Sequence, residues 1–191
     1  AGTRLSSARN LNRIIKVLWL SDTSFGNTRT HEFRGEETAR YRLQKKCLDI
    51  LLSGTNLLIT FRPLAGFSHY LGTASWLAGQ GDHRVCVDEH TSLDDLLTAA
   101  DVVISDSASS SVWNESIAFK TPVILYCDPS CTPLRSHFAP DVEEAFHWCK
   151  NEDEFVSVMR RLVTEGAEFV VELNKTDTSR FLEKYVLHRD D

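Results

Sequence analysis

A serine-rich turn between positions 105 and 111 has the residue types best suited to bind a ligand. Serine occupies five of these seven positions. The apolar run 102–104 before it predicts a buried strand, and residues 112–119 after it predict a helix. The first amides of a helix lack internal partners and lie at the positive end of its dipole, so they attract an anion, most often phosphate. The sequence therefore predicts a phosphate site, and simple helix capping by serine is the alternative.

The predicted elements around this turn form an alternating series. Apolar runs predict strands at 14–20, 57–61, 85–87, 102–104, 123–126 and 146–149. Helical spacing and capping residues predict helices at 36–52, 68–78, 93–100, 112–119, 152–165 and from 177 or 178 to about 187. This alternation favours a Rossmann-like three-layer α/β/α sandwich with a mainly parallel sheet. Ligands bind such sheets at the carboxyl ends of the strands, near the switch in strand order, which is where the serine-rich turn is expected.

The centre of the predicted sheet follows from its two most apolar strands. We expect 102–104 at or beside the centre and 123–126 next to it, because both runs are short, apolar and rich in β-branched residues. The residues predicted to lie in the core are Val103, Ile104, Ile117, Val123 and Leu125.

Length, charge and cysteine content limit the class of protein. The 191 residues predict a disordered or vector-derived tail at 1–12 and a single Rossmann-like domain at 13–191. A formal net charge of −6 disfavours a nucleic-acid binder, which needs a basic face. The five cysteines are scattered without a CxxC pair, which favours free thiols in a reducing cytosol over a metal site. Since no apolar run is long enough to span a membrane, we expect a cytoplasmic protein whose contact with the inner membrane face, if any, comes through a missing region or a partner.

The segment AADVVISDSASSSVWNESIAFKTPVILY, residues 99–126, resembles the nucleotide-binding segment in the C-terminal domain of GT-B glycosyltransferases and their relatives. The nearest are the CDP-glycerol glycerophosphotransferases of teichoic-acid and capsule synthesis, with a stretch like aDvlItDySSvffdfallgkPvify. The UDP-N-acetylglucosamine 2-epimerases have a stretch like DSGGvqEEa. The resemblance is good over 93–126, holds in outline from 55 to 187, and does not cover 1–54. It implies one half of a GT-B fold.

This resemblance implies a set of nucleotide-binding residues. In the relatives, small residues of the turn hold the diphosphate, and an acidic residue one helical turn later holds the ribose hydroxyls. Ser110 and Ser111 match the small residues, and Glu115 then matches the ribose acid. Two extra residues follow the aspartate of the motif, so Ser107 and Ser109 are the alternative phosphate contacts.

Three further residues have weaker counterparts in the family. Arg62, in FRPLAG, resembles the basic residue of the family's RpHP near the phosphates, although Leu64 stands where the family often has histidine. His90, in VDEHTS, lies in the loop that faces the base in relatives. A solvated surface side chain is the alternative for both Arg62 and His90. Asp106 matches the family's aspartate, and capping of its own turn is the alternative to ligand contact.

The resemblance implies a donor-binding domain of a transferase for surface polysaccharide or teichoic-acid-type polymers. The substrate would be a nucleotide-linked donor such as CDP-glycerol or a UDP-sugar, with no separate cofactor and no metal. A second Rossmann-like domain would supply the acceptor site, so the isolated domain would bind nucleotide and catalyse little. Two alternatives stay open. One is a flavodoxin-like FMN electron carrier, suggested by SDTSFGNT at 21–28, and the other is a non-catalytic interaction module, suggested by Leu64.

Overall fold

Six parallel strands form one sheet in the part of the chain that the structure describes. The computed structural model describes residues 13–21, 37–63, 72–106 and 112–186. Its strands are β1 (Ile15–Leu20), β2 (Leu57–Arg62), β3 (Val85–Val87), β4 (Val102–Ser105), β5 (Val123–Tyr126) and β6 (His147–Cys149). They lie in the order β3-β2-β1-β4-β5-β6, and all neighbouring pairs are parallel. The predicted Rossmann-like fold is confirmed, and so is the central position of β4 beside β5.

This strand order also separates two of the functional alternatives. The order 3-2-1-4-5-6 is that of the Rossmann fold, whereas flavodoxin-like proteins have the order 2-1-3-4-5. The flavodoxin-like alternative therefore has no support from the topology. Most of the segment SDTSFGNT that suggested it lies outside the described residues.

Helices cover both faces of the sheet. One face is covered by four helices: α1 (Glu37–Ser53), α2 (Gly72–Gln80), α6 (Glu152–Thr164) and α7 (Ala167–Leu173). On the other pack α3 (Leu93–Ala99), α4 (Val112–Ala118), α5 (Ala139–Ala145) and α8 (Ser179–Phe181), which continues as a π-helical turn at Leu182–Val186. The sequence does not predict α5 or α7. Both have only seven residues and no side-chain hydrogen bond at the N-cap, so the strongest start signal is missing, although α5 has Pro140 in its first turn.

The central strands are buried on both faces. All five residues predicted for the core are buried, with at most 4% of the surface of any one exposed. Val103 packs into the core under α4 and α5, whereas Ile104 packs into the core under α1 and α6. Successive strand side chains point to opposite faces, so a strand with helices on both sides needs apolar residues at every position. This explains why β4 appears in the sequence as a continuous apolar run.

The five cysteines are free thiols. Burial raises the pKa of Cys47 and Cys149 to about 12 and that of Cys127 to about 11, so these thiols are protonated at neutral pH. Among the described residues, no group of three or more histidine, cysteine, aspartate or glutamate side chains could hold a metal ion. Within the same ranges, no helix is long and apolar enough to cross a membrane.

The C-terminal end of α4 contains a left-handed residue that is not glycine. Lys120 has a φ of 58° and donates its N–H to the carbonyl of Ile117 at 2.9 Å. The N–H of Thr121 donates to the carbonyl of Ser116 at 3.0 Å. Together these bonds form a Schellman motif, in which this position favours glycine because a Cβ crowds the left-handed backbone.

We expect Lys120→Gly to raise the free energy of unfolding by about 0.5–1 kcal/mol, because it removes that crowding. Chemical denaturation measures the change. Lys120→Ala removes the long side chain but keeps the Cβ, so it should stay within about 0.5 kcal/mol of wild type. Equal gains for the glycine and alanine variants would show that the side chain, and not the backbone conformation, causes the effect.

Candidate functional site

The carboxyl ends of β1 and β4 lie side by side at the centre of the sheet. Leu20 of β1 pairs with Ser105 of β4. From β1 the chain leads to α1 on one face, and from β4 it leads to α4 on the opposite face. The strand order therefore switches between β1 and β4, and ligands of open α/β sheets bind at such a point.

The serine-rich turn is attached to this point of the fold. Ser107, Ser109, Ser110 and Ser111 themselves lie outside the described residues. The segments on either side are described: β4 ends at Ser105, and α4 begins at Val112. The turn therefore joins the end of a buried central strand to a helix, as the sequence predicts, and its phosphate contacts stay a prediction.

Glu115 lies in the first turn of α4 and is exposed. The buried side of this helix is formed by Trp113, Ser116 and Ile117. The carboxylate of Glu115 is thus open to solvent near the start of α4. A ribose contact is compatible with this position and stays a prediction.

Arg62 ties the end of β2 to the loop that follows β3. Its Nη1 donates a hydrogen bond to the carbonyl oxygen of Thr91. In the same loop, Asp88 Oδ1 accepts from the N–H groups of His90 and Thr91 at 2.9 Å each, and Asp88 Oδ2 accepts from Thr91 Oγ1 at 2.7 Å. The bonds from Thr91, above all from its hydroxyl, hold the pKa of Asp88 below its usual value, and the charge of Arg62 adds to this.

These contacts revise the interpretation of two predicted residues. Arg62 is half-buried and donates a hydrogen bond to the loop after β3, which gives it a structural role besides the two that the sequence leaves open. His90 is exposed in a loop ordered by Asp88, which agrees with a solvated histidine and leaves its ring accessible. A contact of either residue with a nucleotide stays a prediction.

A buried set of polar side chains lies beneath the ends of β1 and β4. Gln44 Nε2 donates to Ser21 Oγ at 2.9 Å and to Asp106 Oδ2 at 2.5 Å. Thr73 Oγ1 donates to Gln44 Oε1 at 2.5 Å, and Trp19 Nε1 donates to Asp106 Oδ2 at 3.1 Å. All five residues are buried. We call this set, Trp19, Ser21, Gln44, Thr73 and Asp106, the Gln44 network.

The Gln44 network gives Asp106 a structural role. The sequence leaves two roles open for this residue, capping of its own turn and ligand contact. In the structure, its carboxylate is buried and accepts hydrogen bonds from side chains of β1 and α1, so it anchors the end of β4 to its neighbours.

Gln44 is not among the predicted site residues, although the sequence contains a signal for it. It precedes Leu48 and Leu51 by four and seven positions, and both leucines are fully buried. This spacing places Gln44 on the core-facing stripe of α1. A polar side chain on such a stripe needs partners, because burial without hydrogen bonds is costly.

Several solved structures share this fold. A Listeria monocytogenes structure assigned as a UDP-N-acetylglucosamine 2-epimerase matches with a TM-score of 0.59 and 13% identity over 86% of this chain and 40% of that chain. The S. aureus MnaA–UDP structure matches with a TM-score of 0.54 and 12% identity, over 86% and 40%. TarM matches with a TM-score of 0.51 and 14% identity, over 91% and 34%. No protein-family model and no curated protein sequence matches the chain.

These similarities identify the fold. The matched structures have GT-B glycosyltransferase-like folds, and this chain corresponds to one Rossmann-like half of them. The chain spans about two fifths of the length of the Listeria and S. aureus structures.

Proposed function

We propose that this chain is the donor-binding half of a GT-B-type transferase and binds the diphosphate of a nucleotide-linked donor. The observation that carries the proposal is the position of the serine-rich turn between β4 and α4, at the switch in strand order. Ligand sites in open α/β sheets occur at this point, and the amides at a helix start suit a phosphate. The S. aureus structure with the same fold, described as a co-structure with UDP, supports a nucleotide as the ligand.

In this proposal, the donor is CDP-glycerol or a UDP-sugar, and the acceptor is a surface polymer of the teichoic-acid type. Amides around Ser110 and Ser111 stabilise the charge that develops on the leaving diphosphate. Arg62 assists them, since a guanidinium has donors besides the one bonded to Thr91. Glu115 accepts hydrogen bonds from the ribose hydroxyls, which are strong because the acceptor is charged.

A second Rossmann-like domain completes the proposed enzyme. The partial coverage of the matched structures supports this, since each is more than twice the length that the chain spans. The acceptor must be held against the donor for transfer, and that positioning accounts for much of the rate of a two-substrate reaction. We therefore expect the isolated chain to bind nucleotide and to transfer little.

Calorimetric titration of the chain with UDP, CDP and inorganic pyrophosphate tests the proposal. We expect at least one nucleotide to bind with a dissociation constant below about 1 mM, the weak end of specific affinities. If none binds at millimolar concentration, the proposal fails and a non-catalytic interaction module is favoured. A purified protein with flavin absorption bands would instead support an electron carrier.

Glu115→Ala is expected to weaken UDP or CDP binding by about tenfold or more and to leave pyrophosphate binding unchanged. The reason is that a hydrogen bond to a charged group contributes roughly 1.5–3 kcal/mol, and pyrophosphate has no ribose. Titration of both ligands into wild type and variant measures the difference.

Glu168→Ala is the matched control for this variant. Glu168 is also an exposed acidic residue in the first turn of a seven-residue helix, α7, but on the opposite side of the sheet from α4. It should leave both affinities unchanged. Equal losses of nucleotide and pyrophosphate in Glu115→Ala would place the carboxylate near the phosphates and contradict the ribose role.

A further inference from the structure

The Gln44 network connects three separate chain segments around the switch point. Ser21 directly follows β1, Asp106 directly follows β4, and Thr73 lies in the first turn of α2. Gln44, from the middle of α1, bonds to all three through one carboxamide. The sheet aligns β1 with β4 up to Leu20 and Ser105, and the network continues this alignment beyond the last paired residues.

We propose that Gln44 is a positioning residue of the proposed nucleotide site, which sets the carboxyl ends of β1 and β4 and the start of α2 relative to one another. This inference rests on the proposed function. Gln44 lies outside the binding motif. Its bond to Asp106 connects the proposed site to buried side chains, so ligand binding would change their surroundings.

The chemistry of the network requires an amide at this position. The carboxylate of Asp106 is only 4% exposed and, when ionised, can only accept hydrogen bonds. Gln44 offers two N–H donors for Asp106 and Ser21 on one side and an acceptor for the hydroxyl of Thr73 on the other. Loss of the Gln44 donor would leave the buried carboxylate with fewer hydrogen bonds, which is costly in a buried site. Glutamate has nearly the same shape, but it would bring a second carboxylate to 2.5 Å from the first.

The position of Asp106 matters for the proposed site because ligand binding is sensitive to small shifts of the binding groups. Asp106 is the last described residue on the β4 side of the serine-rich turn, so displacement of Asp106 would displace the residues that follow it. Misplacement of binding groups by about 1 Å can cost a hundredfold in function. Sites are precise when their supporting side chains are held by packing and by further hydrogen bonds, which is the arrangement around Asp106.

The first test compares the UDP affinity of wild type, Gln44→Glu and Leu51→Ala at a temperature where each is folded. Leu51 is fully buried on the same helix but has no part in the Gln44 network, so Leu51→Ala controls for lost stability. We expect Gln44→Glu to bind UDP at least tenfold more weakly and Leu51→Ala to bind within about twofold of wild type. A purely structural role would lower the melting temperature of both variants and the affinity of neither.

A double variant, Gln44→Glu with Asp106→Asn, reverses the direction of the central hydrogen bond. The amide at position 106 can then donate to the carboxylate at position 44. Trp19 and Gln44 both donate to the same oxygen of Asp106, so this arrangement gives up the bond from Trp19. We expect this variant to recover part of the UDP affinity lost in Gln44→Glu, because the contact between positions 44 and 106 is restored. Failure to recover any of it would contradict the positioning role.

NMR of the wild-type protein tests the positioning role even if the variants do not fold. The indole N–H of Trp19 bonds to Asp106, so its NMR signal should shift when UDP saturates the site. The indole N–H of Trp148, on edge strand β6, bonds to the carbonyl of Cys127 and serves as the reference. If UDP binds but the Trp19 signal does not move, the inference fails and the proposed function stands. If UDP, CDP and pyrophosphate all fail to bind, the proposed function fails.

Discussion

Ile104→Ala is expected to lower the free energy of unfolding by about 2–5 kcal/mol, the usual cost of removing most of a buried isoleucine side chain. Ile104 is fully buried in β4 and pairs with Trp19 on one side and Ile124 on the other. Because both neighbours lie on hydrogen-bonded strands, they cannot move in to fill the cavity. Denaturation by urea or guanidinium, followed by fluorescence or circular dichroism, measures the loss.

Ile14→Ala is the matched control, since it makes the same substitution on a side chain that is 54% exposed. Its effect should stay within about 0.5 kcal/mol, as for most surface substitutions. A loss below about 0.5 kcal/mol at Ile104 as well would be incompatible with its position at the centre of the sheet.

Ser110→Glu and Ser111→Glu are each expected to weaken UDP or CDP binding by tenfold or more. Each places a fixed negative charge where the proposal puts the diphosphate. In a partly desolvated site, that repulsion should exceed about 1.4 kcal/mol, which corresponds to tenfold in affinity. The fold should tolerate both substitutions, because an acidic residue near the start of a helix interacts favourably with its dipole.

The measurement is calorimetric titration, with Ser157→Glu as the control. Ser157 is exposed on α6, so the same substitution there changes the net charge equally without touching the proposed site. Wild-type affinity in all three variants would mean that the serines only cap the helix. Loss of affinity in all three would point to the overall charge of the chain and not to a local site.

The predictions that succeeded depend on short-range patterns. The strands at 102–104 and 123–126 are short runs of apolar residues, and the turn after the first of them is rich in small residues. Such patterns specify burial and strand ends within a few positions, so β4, β5 and α4 lie where the sequence predicts them. The N-cap of α3 is a further case: Ser92 Oγ accepts from the N–H of Asp95 at 3.1 Å, and both residues are close in the chain.

By itself, the sequence determined the alternation of strands and helices, the buried central strand and the place of the serine-rich turn, because each follows from local periodicity and turn chemistry. The tertiary structure decided the strand order and the partners of the polar side chains. Asp106 accepts hydrogen bonds from Gln44 and Trp19, which lie 62 and 87 positions away in the sequence. Arg62 donates a hydrogen bond to Thr91, which lies 29 positions away. Which side chains share the end of a sheet depends on which strands become neighbours, and no local pattern of residues contains that information.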